Sequence, residues 1–260
     1  MVPNDAAMAH TIIGPVARAF TALVAVPLLV GCSLQSAAKS PGLPPGGAAG
    51  LCPAAITELV DVGKKPATEW DLSLDKSGSF VNSSGGISRA EAQVRAVVEK
   101  AVADGAALRI WVFAGSLATV KTVIVCSTMA VKHNNDAAKS SKADHLRQVA
   151  SDAVWEAVRT ASVAAGGKGT SVVGGWAAVA EADALAEHRH AVMISDGRGA
   201  LEEVAVDLSG FETVGMYSIG RVAKKSSDTQ KTAALVERWR KWLTSHGAEH
   251  GLTVTSGEFQ

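Results

Sequence analysis

Five oxygen-bearing side chains are spaced along the chain so that they could together bind a small divalent cation. Three lie in the stretch Asp75-Lys-Ser77-Gly-Ser79, where alternate positions carry one carboxylate and two hydroxyls. Thr170 follows the glycine-rich stretch "GGKG", and Asp196 lies in "ISDGRG". Carboxylates and hydroxyls are the hard oxygen ligands that Mg²⁺ prefers, with water filling the remaining octahedral positions. The pattern therefore predicts a site for Mg²⁺ or Mn²⁺ at these five residues.

Each of the three segments follows a predicted strand or precedes a predicted helix. Apolar alternation predicts a strand over 70–74, directly before the first segment. A capping box, Ser88-x-x-Glu91, predicts the start of a helix that Gly105 ends. Further strands are predicted over 108–113, 119–126, 190–195 and 213–219, and further helices over 143–164, 172–186 and 227–247. The stretch 252–256 is either a last short strand or a frayed end.

This alternation of strands and helices predicts an α/β fold with a doubly wound, mostly parallel sheet and helices on both faces. Only "AGSLA" separates the strands at 108–113 and 119–126, so the second should be an antiparallel strand at the edge of the sheet. Ligands of such folds bind outside the carboxyl ends of the strands. We therefore expect the three polar segments to meet at that edge.

The motif D-x-S-x-S, followed by a distant Thr and a distant Asp, resembles the metal-ion-dependent adhesion site of von Willebrand factor A domains. The resemblance covers roughly residues 66–247 and implies the Rossmann-like fold of that family. It implies that the hydroxyls of Ser77, Ser79 and Thr170 contact the metal directly, while Asp75 and Asp196 act through water or hydrogen bonds. A metal with so little direct negative charge would bind an acidic side chain offered by a partner protein.

Two features depart from the family pattern. The first strand of the family is a continuous apolar run, whereas Asp71 and Ser73 interrupt it here. They indicate either a partly exposed face or a polar network near the site. The stretch "VNSSGG", at 81–86, is longer and richer in glycine than expected, and it predicts a flexible rim of the binding site.

The N-terminal residues resemble the export signal of a bacterial lipoprotein. An apolar run over 19–30 is long enough for a signal-peptide core but too short to span a membrane comfortably. It leads into "LVGC", which resembles a lipobox whose cysteine, Cys32, becomes the lipidated N-terminus. We predict a signal peptide over 1–31, a Ser-, Pro- and Gly-rich tether over 32–51 and a single domain over 52–260. The alternatives are an unlipidated, cleaved signal peptide or one anchor helix.

Charge and cysteine content narrow the classes of function. The formal net charge is +0, which argues against a nucleic-acid partner, because such domains are usually basic. Cys52 and Cys126 remain after the lipobox cysteine, and outside the cytoplasm they form either a disulfide or two separate buried thiols. No C-x-x-C pair is present, so a cysteine-based zinc site is not expected.

Two other chemistries compete with the cation site. Ser73 and Lys76 match the S-x-x-K spacing of penicillin-recognising enzymes, but Ser73 falls inside a strand pattern, and neither a K-T-G motif nor a G-x-S-x-G elbow is present. His188 and His190 could bind a transition metal, but no Cys or carboxylate cluster is tied to them by spacing, which favours a solvated helix–strand junction. His133 is interpreted as loop surface, and Trp239 and Trp242 as core residues of the last helix.

These observations predict a membrane-anchored surface lipoprotein on the extracytoplasmic face of the cell membrane. Its domain would bind a protein partner through Mg²⁺ or Mn²⁺ and would not be an enzyme. The alternative is a structural or assembly subunit of an envelope complex, in which the metal only stabilises the fold.

Overall fold

The computed structural model describes residues 51–116, 119–132, 139–163, 170–201, 203–220 and 227–260. The predicted signal peptide, Cys32 with its lipid, the tether up to residue 50, His133 and the "GGKG" stretch lie outside the described residues. Within the described ranges, none of the helices combines the length and the apolar character that a membrane crossing requires.

A sheet of six strands forms the centre of the domain. The strands are β1 (Thr68–Asp75), β2 (Ala107–Phe113), β3 (Lys121–Cys126), β4 (His188–Ile194), β5 (Thr213–Tyr217) and β6 (Leu252–Val254). Their order across the sheet is β3-β2-β1-β4-β5-β6. All neighbours are parallel except β2 and β3, which pair antiparallel at one edge. The predicted α/β class and antiparallel edge strand are confirmed, and the stretch after residue 251 forms a strand, β6.

Helices cover both faces of this sheet. They are α1 (Ala54–Thr57), α2 (Gly78–Val81), α3 (Gly86–Asp104), α4 (Lys139–Thr160), α5 (Val172–Glu181) and α6 (Ser227–Ser245). Buried residues of α1, α3 and α4 form one apolar cluster with the sheet, and buried residues of α5 and α6 form the other. This division follows from the period of two along each strand, which sends alternate side chains to opposite faces.

The start of α3 differs from the prediction. The helix begins at Gly86 and its N-cap is Gly85, with a φ of 70°, so Ser88 lies inside the first turn and caps nothing. Glu91 pairs instead with Arg95 on the helix surface. The predicted capping box was therefore wrong, because the turn at 82–85 places the N-cap at Gly85, three residues before Ser88. Gly105 does end α3, in the left-handed conformation that glycine adopts readily.

The polar side chains at alternate positions of β1, from residue 69 to residue 75, are buried on the face that α5 covers. Glu69, Asp71, Ser73 and Asp75 are fully buried, while Leu72 and Leu74 point into the opposite core cluster. The expectation that Asp71 and Ser73 mark a partly exposed face was therefore wrong. Ser73 lies under α5, where a Cβ on Gly175 would come within 2.8 Å of the serine Oγ. Glycine at that position is what allows the helix to lie so close to the sheet.

Asp71 belongs to a buried ion cluster with Glu69, Arg109 and Arg189. Arg109 Nε donates to Asp71 Oδ1 at 2.9 Å and Arg189 Nη2 donates to Asp71 Oδ2 at 3.0 Å, while Glu69 pairs with Arg109. Four residues of strand, or about 13 Å, separate Asp71 from Asp75. The predicted polar network exists, but it lies at the opposite end of β1 from the candidate site.

The ion cluster also holds the chain where α5 ends. Arg109 Nη1 donates to the carbonyl of Asp183 at 2.6 Å, and Arg189 Nη2 donates to the carbonyl of Ala182 at 3.3 Å. Glu69 Oε2 accepts the backbone N–H of Leu185 at 2.8 Å. These bonds give hydrogen-bond partners to the carbonyls of Ala182 and Asp183 and to the N–H of Leu185, which directly follow α5.

A disulfide joins Cys52 to Cys126, which are 74 positions apart in the sequence. Val60 and Val131 add an isolated antiparallel bridge close by in sequence. The segment that opens the domain is thus attached to the end of β3 by a covalent bond and to the following loop by hydrogen bonds.

Candidate functional site

The two aspartates of the predicted site lie side by side at the carboxyl edge of the sheet. Asp75 is the last residue of β1, and Asp196 follows β4 by two residues. Because β1 and β4 are parallel neighbours, with Leu74 opposite Ile194, their ends bring both carboxylates to the same place. Both aspartates are fully buried.

Asp75 is held on both of its carboxylate oxygens. The backbone N–H of Ser77 donates to Oδ1 at 2.7 Å, and the Ser195 hydroxyl donates to Oδ2 at 2.7 Å. Burial raises the pKa of Asp75 to about 6; the hydrogen bonds from Ser77 and Ser195 oppose that shift, and the charge of Asp196 adds to it. A buried carboxylate next to a second one is stabilised by a positive charge.

Ser77 and Ser79 present their hydroxyls together beside Asp75. Ser77 occupies the N-cap position of α2 without capping it, and its Oγ lies 3.0 Å from the Oγ of Ser79. Ser77 is half-buried and Ser79 is exposed, so the pair faces solvent at the edge of the site. In an octahedron with Mg²⁺–oxygen bonds of about 2.1 Å, adjacent ligands lie about 3.0 Å apart.

Among the described residues, one carboxylate oxygen of Asp196 accepts a hydrogen bond and the other accepts none. Its Oδ1 accepts the backbone N–H of Arg198 at 3.0 Å, as in an Asx turn. Its Oδ2 is buried and has no hydrogen-bond partner within the described ranges. A buried acceptor without a donor costs free energy, and a cation, alone or through its water, would satisfy it.

Thr170 lies at the same edge, directly before α5. The backbone N–H of Ser171 donates to the carbonyl of Ala114, at the end of β2, at 3.3 Å. A Cβ on Gly199 would lie 2.6 Å from the Thr170 carbonyl, so the loop that carries Asp196 packs on Thr170. Among the described residues the Thr170 hydroxyl makes no hydrogen bond to Ser77 or to Ser79. The structure therefore links Asp75, Ser77, Ser79 and Asp196 most closely, with Thr170 adjoining them through the loop at 196–199.

These residues fit a small hard cation. They offer two buried carboxylates, and one oxygen of Asp196 accepts no hydrogen bond from the described residues. They also offer the hydroxyls of Ser77 and Ser79, which are hydrogen-bonded at 3.0 Å, a distance that also separates adjacent ligands of Mg²⁺. Within the part of the chain that the structure describes, no three side chains of His, Cys, Asp or Glu are grouped as metal ligands. A cation here would depend on hydroxyls and water as well as on the two aspartates.

The sequence did not identify three residues that support this site. Ser195 bridges the two loops, since it donates to Asp75 and its Oγ accepts the backbone N–H of Gly197 at 3.0 Å. Trp239 Nε1 and Arg238 Nη2 donate to the carbonyl of Gly197 at 2.9 Å and 3.0 Å. Trp239 and Trp242 are buried, as predicted. A buried indole needs an acceptor for its N–H, and that need was the available signal for Trp239.

Ser73 and Lys76 are not arranged as a nucleophile and the group that would activate it. Ser73 is buried within β1 under α5, and its hydroxyl has no hydrogen-bond partner among the described residues. Lys76 Nζ donates to the carbonyls of Val158 at 2.9 Å and of Ala161 at 2.6 Å. The lysine therefore caps the end of α4, where cations interact favourably with the helix dipole, and it does not activate Ser73.

The two histidines lie in the first three residues of β4. The exposed His188, at the start of the strand, fits the interpretation as a solvated junction, whereas the half-buried His190 does not. His188 is exposed and contacts Glu212. His190 is half-buried, stacks on Trp70 with ring centroids 4.7 Å apart, and bonds to Thr213 Oγ1 at 2.9 Å. Alternation along the strand places both side chains on one face. There His188 contacts Glu212, and His190 contacts Thr213 and Trp70.

The predicted rim is a hydrogen-bonded turn between α2 and α3. Ser83 Oγ donates to the carbonyl of Phe80 at 2.6 Å. Arg89 donates to Ser83 Oγ at 2.9 Å and to the carbonyl of Ser84 at 2.7 Å. The exposed side chains of Asn82 and Ser84 in this turn remain available at the surface.

Comparison with known proteins gives structural similarities only. No family model and no curated protein matches the chain. Proximal thread matrix protein 1 from the mussel byssus, in its second crystal form, aligns with 74% of this chain and 44% of its own at 11% identity, with a TM-score of 0.40. BatB, a conserved hypothetical protein from Bacteroides thetaiotaomicron, aligns with 72% of this chain and 89% of its own at 12% identity, with a TM-score of 0.39.

The pilus adhesin SpaC from Lactobacillus rhamnosus GG, in an open conformation, aligns with 54% of this chain and 15% of its own at 15% identity, with a TM-score of 0.29. This chain thus spans less than half the length of the mussel protein and a small part of the adhesin. Because these TM-scores and identities are low, the similarities assign neither a family nor a function.

Proposed function

We propose that this domain binds Mg²⁺ or Mn²⁺ at the carboxyl edge of its sheet and uses the cation to bind an acidic side chain of a partner protein. The observation that carries the proposal is the buried Oδ2 of Asp196, which has no hydrogen-bond partner among the described residues and lies beside the buried carboxylate of Asp75. A positive charge would stabilise two neighbouring acidic groups of this kind, and within the described ranges no ammonium or guanidinium group contacts that oxygen.

The chain's own residues would divide the work in the way that the adhesion-site motif implies. Ser77, Ser79 and Thr170 would supply neutral hydroxyl oxygens, and Asp75 and Asp196 would hold the ion through water or through hydrogen bonds to those ligands. The ion supplies Lewis acidity toward a carboxylate from outside. Neutral ligands leave it a larger share of its charge than carboxylate ligands would, which favours an acidic partner. The domain is proposed as a binding module without catalytic activity.

The cellular setting is part of the same proposal. A lipid on Cys32 would hold the chain on the extracytoplasmic face of the cell membrane, and the tether over 32–51 would let the domain reach its partner. The neutral net charge of the chain favours a protein partner over nucleic acid.

Cation binding can be measured directly on the purified chain by isothermal titration with MgCl₂ and by Mn²⁺ electron paramagnetic resonance. Ser77→Ala should abolish or strongly weaken binding, because it removes a ligand and the hydrogen bond of the Ser77 hydroxyl to Asp75, while the backbone N–H of Ser77 still donates to Asp75 Oδ1. Ser84→Ala, in the neighbouring turn, is the matched control and should bind the ion like the wild type. Equal affinities of the two variants would contradict the proposed ligand set.

Partner binding can be measured by capture of envelope proteins with and without chelator. Loss of cation-dependent capture in Asp75→Ala, with a nearly unchanged melting temperature, would support binding in trans. The alternative is a structural or assembly subunit with a purely structural ion. A large loss of thermal stability in Asp75→Ala, with no partner recovered from wild type, would favour that alternative.

A further inference from the structure

The loop that carries Asp196 is a rigid platform for one exposed side chain. Ser195, Asp196, Gly197 and Gly199 are buried, whereas Arg198 between the two glycines is exposed. Gly197 has a φ of 70°, which an L side chain adopts at a cost, and a Cβ there would lie 2.9 Å from Trp239 Nε1. The backbone conformation at position 197 and the contact with Trp239 therefore both favour glycine. Arg198 follows this turn with its side chain exposed.

Hydrogen bonds fix the backbone on both sides of Arg198. Its own N–H donates to Asp196 Oδ1 at 3.0 Å. Arg238 Nη2 donates to the carbonyls of Gly197 at 3.0 Å and of Gly199 at 2.9 Å, so one guanidinium bridges the two flanking residues. A side chain on a backbone held in this way loses less entropy on binding than one on a free loop.

Among the basic side chains that the structure describes around the site, Arg198 is the one whose guanidinium contacts no other described group. Lys76 is bonded to carbonyls at the end of α4, Arg89 to the turn at 83–84, and Arg238 to the glycine carbonyls. Within the described ranges the guanidinium of Arg198 forms no hydrogen bond and no ion pair. It is thus a solvated cation two residues, at most about 7 Å of chain, from the aspartate of the site.

We propose that Arg198 is a second anchor for the partner and that the partner segment carries two acidic side chains. This inference rests on the proposed function: one carboxylate would bind the cation, and a second would pair with the Arg198 guanidinium. Arginine offers a planar fork of donors that matches a carboxylate in two parallel hydrogen bonds. Two carboxylates two or three residues apart on an extended segment lie about 7–10 Å apart, which is comparable to the at most about 7 Å of chain between Asp196 and Arg198.

Charge complementarity favours this partner over a singly acidic or a basic one. A bound cation and the exposed Arg198 would supply two positive centres close together in the chain, whereas the anionic groups Asp75 and Asp196 are buried. A basic segment would meet both positive centres at short range. With a segment that carries one acidic side chain, the Arg198 guanidinium would stay hydrated. With a diacidic segment, the second carboxylate would pair with it.

The test uses the full purified chain and two short Gly–Ser peptides, one with a single glutamate and one with a second glutamate three residues away. Binding is measured by biolayer interferometry in millimolar MgCl₂ and again with chelator. Wild type should bind the diacidic peptide about five- to tenfold more tightly, which is the range for a charge-assisted contact at a partly exposed site. Arg198→Gln should remove that preference and leave cation-dependent binding of the monoacidic peptide unchanged. Arg198→Lys should keep part of the preference.

Arg147→Gln is the matched control, since Arg147 is an exposed arginine on α4 and pairs there with Asp144; it should behave like wild type. A diacidic preference that survives in Arg198→Gln, or that wild type lacks, would overturn the second anchor while chelator-sensitive binding of the monoacidic peptide still supports the cation site. If neither peptide binds in a chelator-sensitive way, the proposed function itself fails. Tighter Mg²⁺ binding by Arg198→Gln would also overturn the proposal, because it would show that Arg198 competes with the cation for Asp196.

Discussion

The buried ion cluster makes a quantitative prediction for Arg109→Met. The Arg109 guanidinium is 2% exposed and contacts Asp71, Glu69 and the Asp183 carbonyl. Methionine fills much of the space of the arginine stem, so the main effect is electrostatic and the cavity that remains is small. The variant leaves Asp71 and Glu69 to share Arg189 alone. Because burial raises the pKa of Glu69 to about 7, the cluster carries its net negative charge above that pH, so the unfolding measurements are made at pH 8.

Removing one partner from a buried pair typically costs about 3–5 kcal/mol, because the other charge stays buried without compensation. We expect a loss of that size in the free energy of unfolding, measured by urea denaturation followed by circular dichroism. Arg95→Met is the control, since Arg95 pairs with Glu91 and Asp152 at the surface. Pairs at that level of exposure contribute about 0.2–1 kcal/mol.

A second variant tests the electrostatic explanation itself. Glu69→Gln added to Arg109→Met makes the cluster neutral again, with Asp71 paired to Arg189, so we expect the double variant to be more stable than Arg109→Met alone. The reasoning would be refuted if Arg109→Met lost no more stability than Arg95→Met. It would also be refuted if the Gln substitution deepened the loss, because packing and not charge would then dominate.

Three further predictions concern pH, the site and the disulfide. Burial raises the pKa of Glu69 from 4.5 to about 7, so the folded state binds more protons than the unfolded state between these values. Stability should fall as pH rises through this window, and Glu69→Gln should remove that part of the slope. Urea midpoints of wild type and Glu69→Gln that change identically between about pH 5 and pH 8 would contradict this prediction. Ser195→Ala should weaken Mg²⁺ binding several-fold because Asp75 loses its Oδ2 donor, and unchanged affinity by titration calorimetry would count against that role. Replacing Cys52 and Cys126 by Ala should cost up to about 4 kcal/mol for a loop of 74 residues, and an unchanged urea midpoint would show that the cross-link does not constrain the unfolded chain.

Much of the fold follows from local patterns in the sequence. A short apolar run identifies β2, and apolar residues at helical spacing identify α4. The short connection between β2 and β3 implies their antiparallel pairing. Boundaries were less predictable. The start of α3 depends on a glycine turn and not on the serine–glutamate spacing, since capping requires a backbone geometry that composition does not reveal.

The candidate site was predictable to a similar degree. The order of Asp75, Ser77, Ser79, Thr170 and Asp196, each placed after a strand or before a helix, indicates a common edge because parallel strands end on the same side of a sheet. The residues around them were not predictable. Ser195 acts on a carboxylate 120 residues away, and no local spacing encodes such a contact.

Sequence by itself determined the class of sheet, the hydroxyl and carboxylate set at its carboxyl edge, and the burial of Trp239 and Trp242, because each depends on residue type and short-range periodicity. Only the tertiary structure decided where the polar face of β1 goes. That face is fully buried under α5, with an ion cluster at one end and Asp75 at the other. A strand pattern shows which side chains share a face, but the elements that cover that face come from distant parts of the chain. Their contacts settle whether a polar residue there is exposed, paired with an opposite charge or left with an acceptor to spare.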